Sequence, residues 1–88
     1  MSVGPVLEAG EVALAVIAAI REQNPAVEIL DRGSYLRVRC PDRCAVTRDA
    51  IEGALGRSFR LPSDLEAIMP SFTGRMVLDE DQVSWGHA

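Results

Sequence analysis

Apolar positions in the first half of the chain follow a strand, helix, strand, strand order. The apolar residues 3–7 contain a Gly-Pro pair and predict a short strand at the edge of a sheet. The next apolar residues recur at every fourth position, which is the spacing of one helix face; they are Val12, Val16 and Ile20. We expect this helix to begin after Gly10 and to end at Asn24, because Pro25 disfavours helical backbone at the residue before it.

Two strands follow this helix. Residues 27–30 are mostly apolar and begin the first strand, and residues 31–34 have the composition of a turn. In residues 35–40, apolar side chains alternate with tyrosine and arginine, which is the period of a half-buried strand. Arg37 and Arg39 are therefore expected on the outer face of the sheet.

The second half of the chain repeats this order with shorter elements. Residues 44–46 predict a strand, and Thr47 is a favourable N-cap for a helix through Leu55. Gly56 suits the left-handed position that follows a helix. The remaining predicted elements are a helical turn at 64–67 and a hairpin with strands at 75–78 and 82–85.

Together these elements predict an α+β fold. It consists of two β-α-β-β-like halves, with helices packed on a mostly antiparallel sheet. A chain of 88 residues is short for two hydrophobic cores, so we expect one domain over residues 1–88.

Composition and charge narrow the class of partner. Hydrophobic residues make up 48% of the chain and charged residues 25%, which is typical of a globular protein. The net charge of -4 argues against a nucleic-acid partner, and no apolar run reaches the ~20 residues that cross a membrane. The first residues lack the basic segment of a secretory signal, so we expect a cytoplasmic protein. All basic residues are arginines, which indicates either a solvated surface of mixed charge or a face that meets carboxylates on a partner.

Few residues in the chain are suited to catalysis or metal binding. The single histidine, His87, is close to the C-terminus and is expected to be disordered. Cys40 and Cys44 alone cannot complete a zinc site or hold an iron–sulfur cluster, and we expect two ordinary thiols in a reducing compartment. A chain with so few ligands and general bases predicts a protein that has no cofactor and acts by binding another protein.

Four segments in order resemble one known family. Residues 24–35 read N-P-x-V-x(3)-D-R-x(2)-Y, and residues 55–59 read L-G-R-x-F. Residues 71–75 read S-F-T-G-R, and an acidic segment follows at 79–82. The chain is similar, from residue 3 to about residue 85, to the regulatory proteins of soluble diiron monooxygenases, also called effector or coupling proteins. Its first residues are most similar to the toluene-type members, and the long N-terminal tail of the methane-type members is missing.

This resemblance implies a non-catalytic subunit that docks on the large subunit of a diiron hydroxylase. In this family, docking changes the geometry of the diiron site and access of substrate, and it couples NADH use to product formation. The hydroxylase carries the iron, and a separate NADH-dependent reductase carries flavin and iron–sulfur centres. The resemblance implies no cofactor for this chain, and we expect a monomer when it is free. The hydrocarbon or aromatic that is oxidised is not encoded here, since its pocket lies in another protein.

We expect one segment and one turn residue to contact the hydroxylase. The segment comprises Pro70, Ser71, Phe72, Thr73 and Gly74. Its small hydroxyls and glycine suit close surface packing. Phe72 is either a core residue or an interface residue, and Gly74 allows close approach either of a neighbouring strand or of the partner. Arg32 belongs to the predicted turn, with interface contact as the second interpretation.

A small acidic carrier or ligand-binding domain is the alternative class. Ser63-Asp64-Leu65 superficially resembles the modified serine of acyl carrier proteins, although those proteins carry the order Asp-Ser-Leu. Carriers are also helical bundles, whereas residues 35–40 and 75–85 predict strands.

Overall fold

The computed structural model describes residues 1–87, which form two antiparallel sheets with helices packed against them. In chain order the elements are β1 (Ser2–Glu8), α1 (Glu11–Gln23), β2 (Glu28–Asp31), β3 (Tyr35–Pro41), β4 (Arg43–Thr47), α2 (Arg48–Leu55), α3 (Ser63–Glu66), β5 (Ser71–Thr73), β6 (Arg75–Leu78) and β7 (Gln82–Gly86). Each described strand pair is antiparallel. The predicted α+β fold is therefore confirmed.

The strands are divided between a four-stranded and a three-stranded sheet. The order in the four-stranded sheet is β2-β3-β1-β5, and the order in the three-stranded sheet is β4-β7-β6. The chain passes between the sheets three times, from β3 into β4, from β4 through α2 and α3 into β5, and from β5 into β6. This sheet-rich architecture does not support the alternative of an acyl-carrier-like helical bundle.

Strand β1 lies inside the four-stranded sheet, so the prediction of an edge strand was wrong. It pairs with β3 on one side and with β5 on the other. Strand β5 itself was not predicted. The pairing with β3 stops at Val3 and resumes at Val6, skipping Gly4 and Pro5. A proline, which has no N–H to donate, is accommodated in an inner strand because the ladder is interrupted at this point.

The core is formed by the inner faces of both sheets, by one side of α1, and by side chains of α2, α3 and the segment between them. Its largest fully buried side chains are Trp85, Phe59, Leu7, Ile20, Ile51 and Leu65. Trp85 lies on β7 opposite Cys44 on one side and Met76 on the other, and its side chain is 0% exposed. The indole Nε1 has no hydrogen-bond partner among the described residues. Trp85 is therefore enclosed by the core and has no access to bulk solvent.

The ends of the helices follow from the residues that cap them. Thr47 Oγ1 accepts a hydrogen bond from the Ala50 N–H at 3.2 Å, as predicted for an N-cap. Gly56 has φ 80° and donates its N–H to the Glu52 carbonyl at 2.8 Å, so the left-handed end of α2 is also confirmed.

Asn24 ends α1 and also binds the edge of β4. Its Nδ2 donates to the carbonyls of Ile20 and Ala45, both at 2.8 Å. Its Oδ1 accepts from the Ala45 N–H at 3.1 Å. The adjacent Gln23 Oε1 accepts from the Thr47 N–H at 2.8 Å. Two side-chain amides therefore take the place of a neighbouring strand along β4, which leaves this edge unavailable for pairing with another chain.

His87 contacts the turn between β3 and β4. Its Nε2 lies 2.9 Å from Asp42 Oδ1, and the N-terminal ammonium of Met1 lies 4.0 Å from the same oxygen. The hydrogen bond from His87, followed by the charge of the N-terminus, lowers the pKa of Asp42. The turn between β3 and β4 thus offers a hydrogen-bond partner to a histidine that was expected to be disordered.

Candidate docking surface

The predicted contact segment forms one of the two edges of the four-stranded sheet, and β2 forms the other. Pro70 is exposed, and the next three residues form β5. Ser71 lies opposite Val6 of β1, and Thr73 lies opposite Gly4. Because opposite residues of paired strands share a face, Ser71 and Thr73 project from the same side of the sheet as Val6.

Phe72 is a surface residue and not a core residue. Its side chain is 41% exposed, and it lies opposite Pro5 on β1. The position at the sheet edge explains this exposure, since no further strand within residues 1–87 pairs with β5. A half-exposed aromatic ring at an edge is available for contact with another protein.

Gly74 allows a close approach within this chain. Its φ is 100°, which side-chain-bearing residues rarely adopt. A Cβ at this position would lie 2.6 Å from the Gly86 carbonyl oxygen and 2.8 Å from Val3 Cγ1. The glycine therefore lets the chain turn from β5 of one sheet into β6 of the other.

Arg32 lies in the exposed turn between β2 and β3. Its N–H donates to the Tyr35 carbonyl at 2.8 Å, and Asp31 Oδ1 accepts from the Gly33 N–H at 2.8 Å. Strands β3 and β1 separate this turn from β5. The structure therefore does not bring Arg32 together with the segment at 70–74.

The face of the four-stranded sheet that points away from the core carries a second set of polar groups; we call it the outer face. It includes Arg37 and Arg39 of β3, as predicted. Arg37 Nη2 donates to Thr73 Oγ1 at 3.2 Å across β1, and Arg39 Nε lies 3.5 Å from Glu28 Oε1. The link between Arg37 and Thr73 was missed in the sequence, where no local pattern relates two residues 36 positions apart.

The two cysteines are structural. Both Cys40 and Cys44 are free and buried. Burial raises the pKa of both thiols, most strongly that of Cys44. A buried thiol with a raised pKa is a poor nucleophile, because the thiolate is the reactive form. Within residues 1–87, no group of three or more His, Cys, Asp or Glu side chains is placed to hold a metal ion.

A shallow cavity of about 300 Å³ lies beside α1 and the end of α2. Its walls combine apolar side chains, such as Val12 and Phe59, with the polar Ser58 and Asp64. Arg57 also lines it and forms an ion pair with Glu11, with Nη1 and Oε1 2.7 Å apart. The cavity presents no nucleophile with an activating base. None of the helices in the described part of the chain is both long enough and apolar enough to cross a membrane.

Comparison with known proteins agrees with these features. The model of the MmoB/DmpM family matches residues 1–86. The chain is 46% identical over 85 residues to the effector subunit of the alkene monooxygenase system of Xanthobacter autotrophicus (strain ATCC BAA-1158 / Py2). This match covers 94% of the chain and 83% of the relative.

Solved structures share the fold. A chain from a structure of a phenol hydroxylase–regulatory protein complex superposes with a TM-score of 0.88 at 20% identity, covering 100% of both chains. A second structure of such a complex gives a TM-score of 0.80 at 22% identity, covering 97% of this chain and 100% of the other. The family model and the identity to the Xanthobacter subunit extend over nearly the whole chain, which confirms the resemblance drawn from its motifs: the chain belongs to the MmoB/DmpM family.

Proposed function

We propose that this protein is the non-catalytic effector subunit of a multicomponent bacterial monooxygenase. It binds the diiron hydroxylase of that system, which works with an NADH-dependent reductase. The observation that carries this proposal is the 46% identity, over 94% of the chain, to an alkene monooxygenase effector subunit. The described residues support it, because they offer exposed polar and aromatic groups on a sheet edge and no catalytic constellation.

The effector tunes oxygen activation, substrate access and the coupling of NADH use to hydroxylation or epoxidation. It changes the hydroxylase only if it binds the reactive conformation more tightly than the resting one, since equal affinity for both shifts nothing. By linkage, a ligand or redox state that favours the reactive conformation also tightens binding of the effector.

Pro70, Ser71, Phe72 and Thr73 supply contacts to the hydroxylase large subunit. Gly74 directs this segment out of the sheet edge, and Arg32 supplies a separate contact from its turn. The support is the exposure of these residues, of which only Thr73 is half-buried, and the sheet behind β5, which holds the segment in one conformation and lowers the entropy cost of binding.

Titration into a reconstituted system tests the role as an effector. A cognate diiron hydroxylase and its reductase are mixed with substrate and NADH, and the protein is added in increasing amounts. Turnover and product formed per NADH should both rise to a plateau near one equivalent per hydroxylase active site. Heat-denatured protein is the control and should have no effect. Unchanged turnover at saturating amounts of the folded protein would exclude the role.

A bulky side chain at the sheet edge should weaken the complex. Ser71→Trp leaves folding intact because Ser71 is exposed, and it should weaken binding about tenfold by holding the surfaces apart. Ser71→Ala is the conservative control and should bind nearly as the parent does. Gln82→Trp places the same bulk at an exposed position of the three-stranded sheet and should also leave binding unchanged. Calorimetric titration with hydroxylase measures all three. Parental affinity and coupling in Ser71→Trp would show that the segment lies outside the interface.

A further inference from the structure

Arg37 differs from the arginines that this fold neutralises. Arg39, Arg48 and Arg57 each lie within 4.0 Å of a carboxylate of the chain. Among residues 1–87, the other six arginines have no carboxylate within that distance, and Arg37 is the one of these six whose guanidinium makes a hydrogen bond, to the neutral hydroxyl of Thr73. The outer face therefore presents a cation without a counter-charge on a chain whose net charge is -4.

The guanidinium of Arg37 is also held in position. Its Nη2 donates to Thr73 Oγ1 at 3.2 Å, which brings it over β1 toward the edge strand β5. A guanidinium has five N–H donors, so this bond leaves most of them free. A planar, pre-oriented group with free donors fits a carboxylate through two parallel hydrogen bonds. Because the Arg37 side chain is already held in one conformation, it loses less conformational entropy when the partner binds.

The residues around Arg37 favour contact with the surface of another protein over binding of a small anion. Tyr35, two positions earlier on the same face, is 44% exposed, and the half-buried Val6 lies directly opposite Arg37 on β1. Ser71 lies opposite Val6 on the other side. An arginine flanked by an aromatic ring, an aliphatic side chain and small hydroxyls has the composition of the centre of an interface.

We propose that Arg37 receives an aspartate or glutamate side chain of the hydroxylase, and that Thr73 is its positioning residue. The inference rests on the proposed function, since it names the surface and the chemistry by which the effector docks. The interface then extends from the segment at 70–74 across β1 onto β3. Arg37 attracts the acidic surface at long range and fixes the register of docking at contact.

Neutralising Arg37 tests the proposal. Arg37→Gln should weaken binding to the hydroxylase about tenfold and flatten the dependence of affinity on salt between ~0.02 M and ~0.3 M ionic strength. Arg57→Gln is the matched control, because it removes the same charge on the helical side of the molecule. It should bind within about twofold of the parent. Circular dichroism and the unfolding midpoint establish that both variants are folded.

A second variant separates positioning from charge. Thr73→Val keeps the shape of the side chain and the charge of Arg37 but removes the hydroxyl. It should weaken binding about threefold while the salt dependence of the parent is kept. If Arg37→Gln binds with the affinity and salt dependence of the parent while the parent still activates the hydroxylase, the proposal fails and the effector role stands. If the parent itself neither binds nor activates, the proposed function fails.

Discussion

Replacing Gly4 with alanine should remove the native fold. Gly4 is buried in β1 with φ 145°, and an added Cβ would lie 2.4 Å from the Val38 carbonyl oxygen. That oxygen belongs to the backbone of the neighbouring strand, so no side-chain rotation relieves the contact. Moving β1 away from β3 would disturb the sheet on both sides of Gly4. The cost should exceed ~4 kcal/mol, a large part of the ~5–15 kcal/mol that stabilises a typical domain.

Chemical denaturation followed by circular dichroism measures this effect. Gly53→Ala is the control, because Gly53 lies in α2 and has no atom within 4 Å of an added Cβ. Alanine there should raise the free energy of unfolding by up to ~1 kcal/mol. A Gly4→Ala protein with the midpoint of the parent would mean that β1 and β3 are farther apart than in this structure.

Replacing Asn24 with alanine should lower the free energy of unfolding by ~2–4 kcal/mol. The change removes three hydrogen bonds and leaves the N–H and carbonyl of Ala45 without partners in a partly buried position. Because these bonds join the end of α1 to β4, the loss should appear in a single cooperative transition and not as local fraying.

Gln23→Ala is the matched control for Asn24→Ala. Gln23 also bonds to β4, at Thr47, but its contacts are exposed to water. Its replacement should cost no more than ~1 kcal/mol. Urea denaturation of both variants gives the comparison. If both variants lost the same free energy of unfolding, the burial of the Asn24 hydrogen bonds would not contribute to stability.

The sequence was most informative where local rules apply. The helices were predicted nearly to the residue because apolar spacing, Thr47 and Gly56 mark their faces and ends. The position of β1 was predicted wrongly, because a Gly-Pro pair is typical of edge strands. Only its pairing with β5, which is distant in the sequence, makes β1 an inner strand. Strand β5 has just three residues, too few to show an alternation.

The arrangement of residues on the candidate docking surface was harder to predict from the sequence than the helices were. The exposed arginines of β3 and the hydroxyls of β5 were each identified, but their common face depends on β1 lying between them. A relation of that kind arises from sheet topology and has no local signature. The contact role of residues 70–74 came from the resemblance to the family, and it stays a prediction until a variant is measured.

The single tryptophan can report on the hydrophobic core of the protein while the hydroxylase is bound to its surface. Trp85 is fully buried on β7 of the three-stranded sheet, whereas the proposed contacts are on the four-stranded sheet. Protein made with fluorotryptophan would carry one fluorine nucleus, readable by ¹⁹F NMR within an unlabelled hydroxylase complex. A resonance that keeps its shift on binding would mean that the effector docks as a rigid body. A displaced resonance would mean that contact at one sheet repacks the core beneath the other.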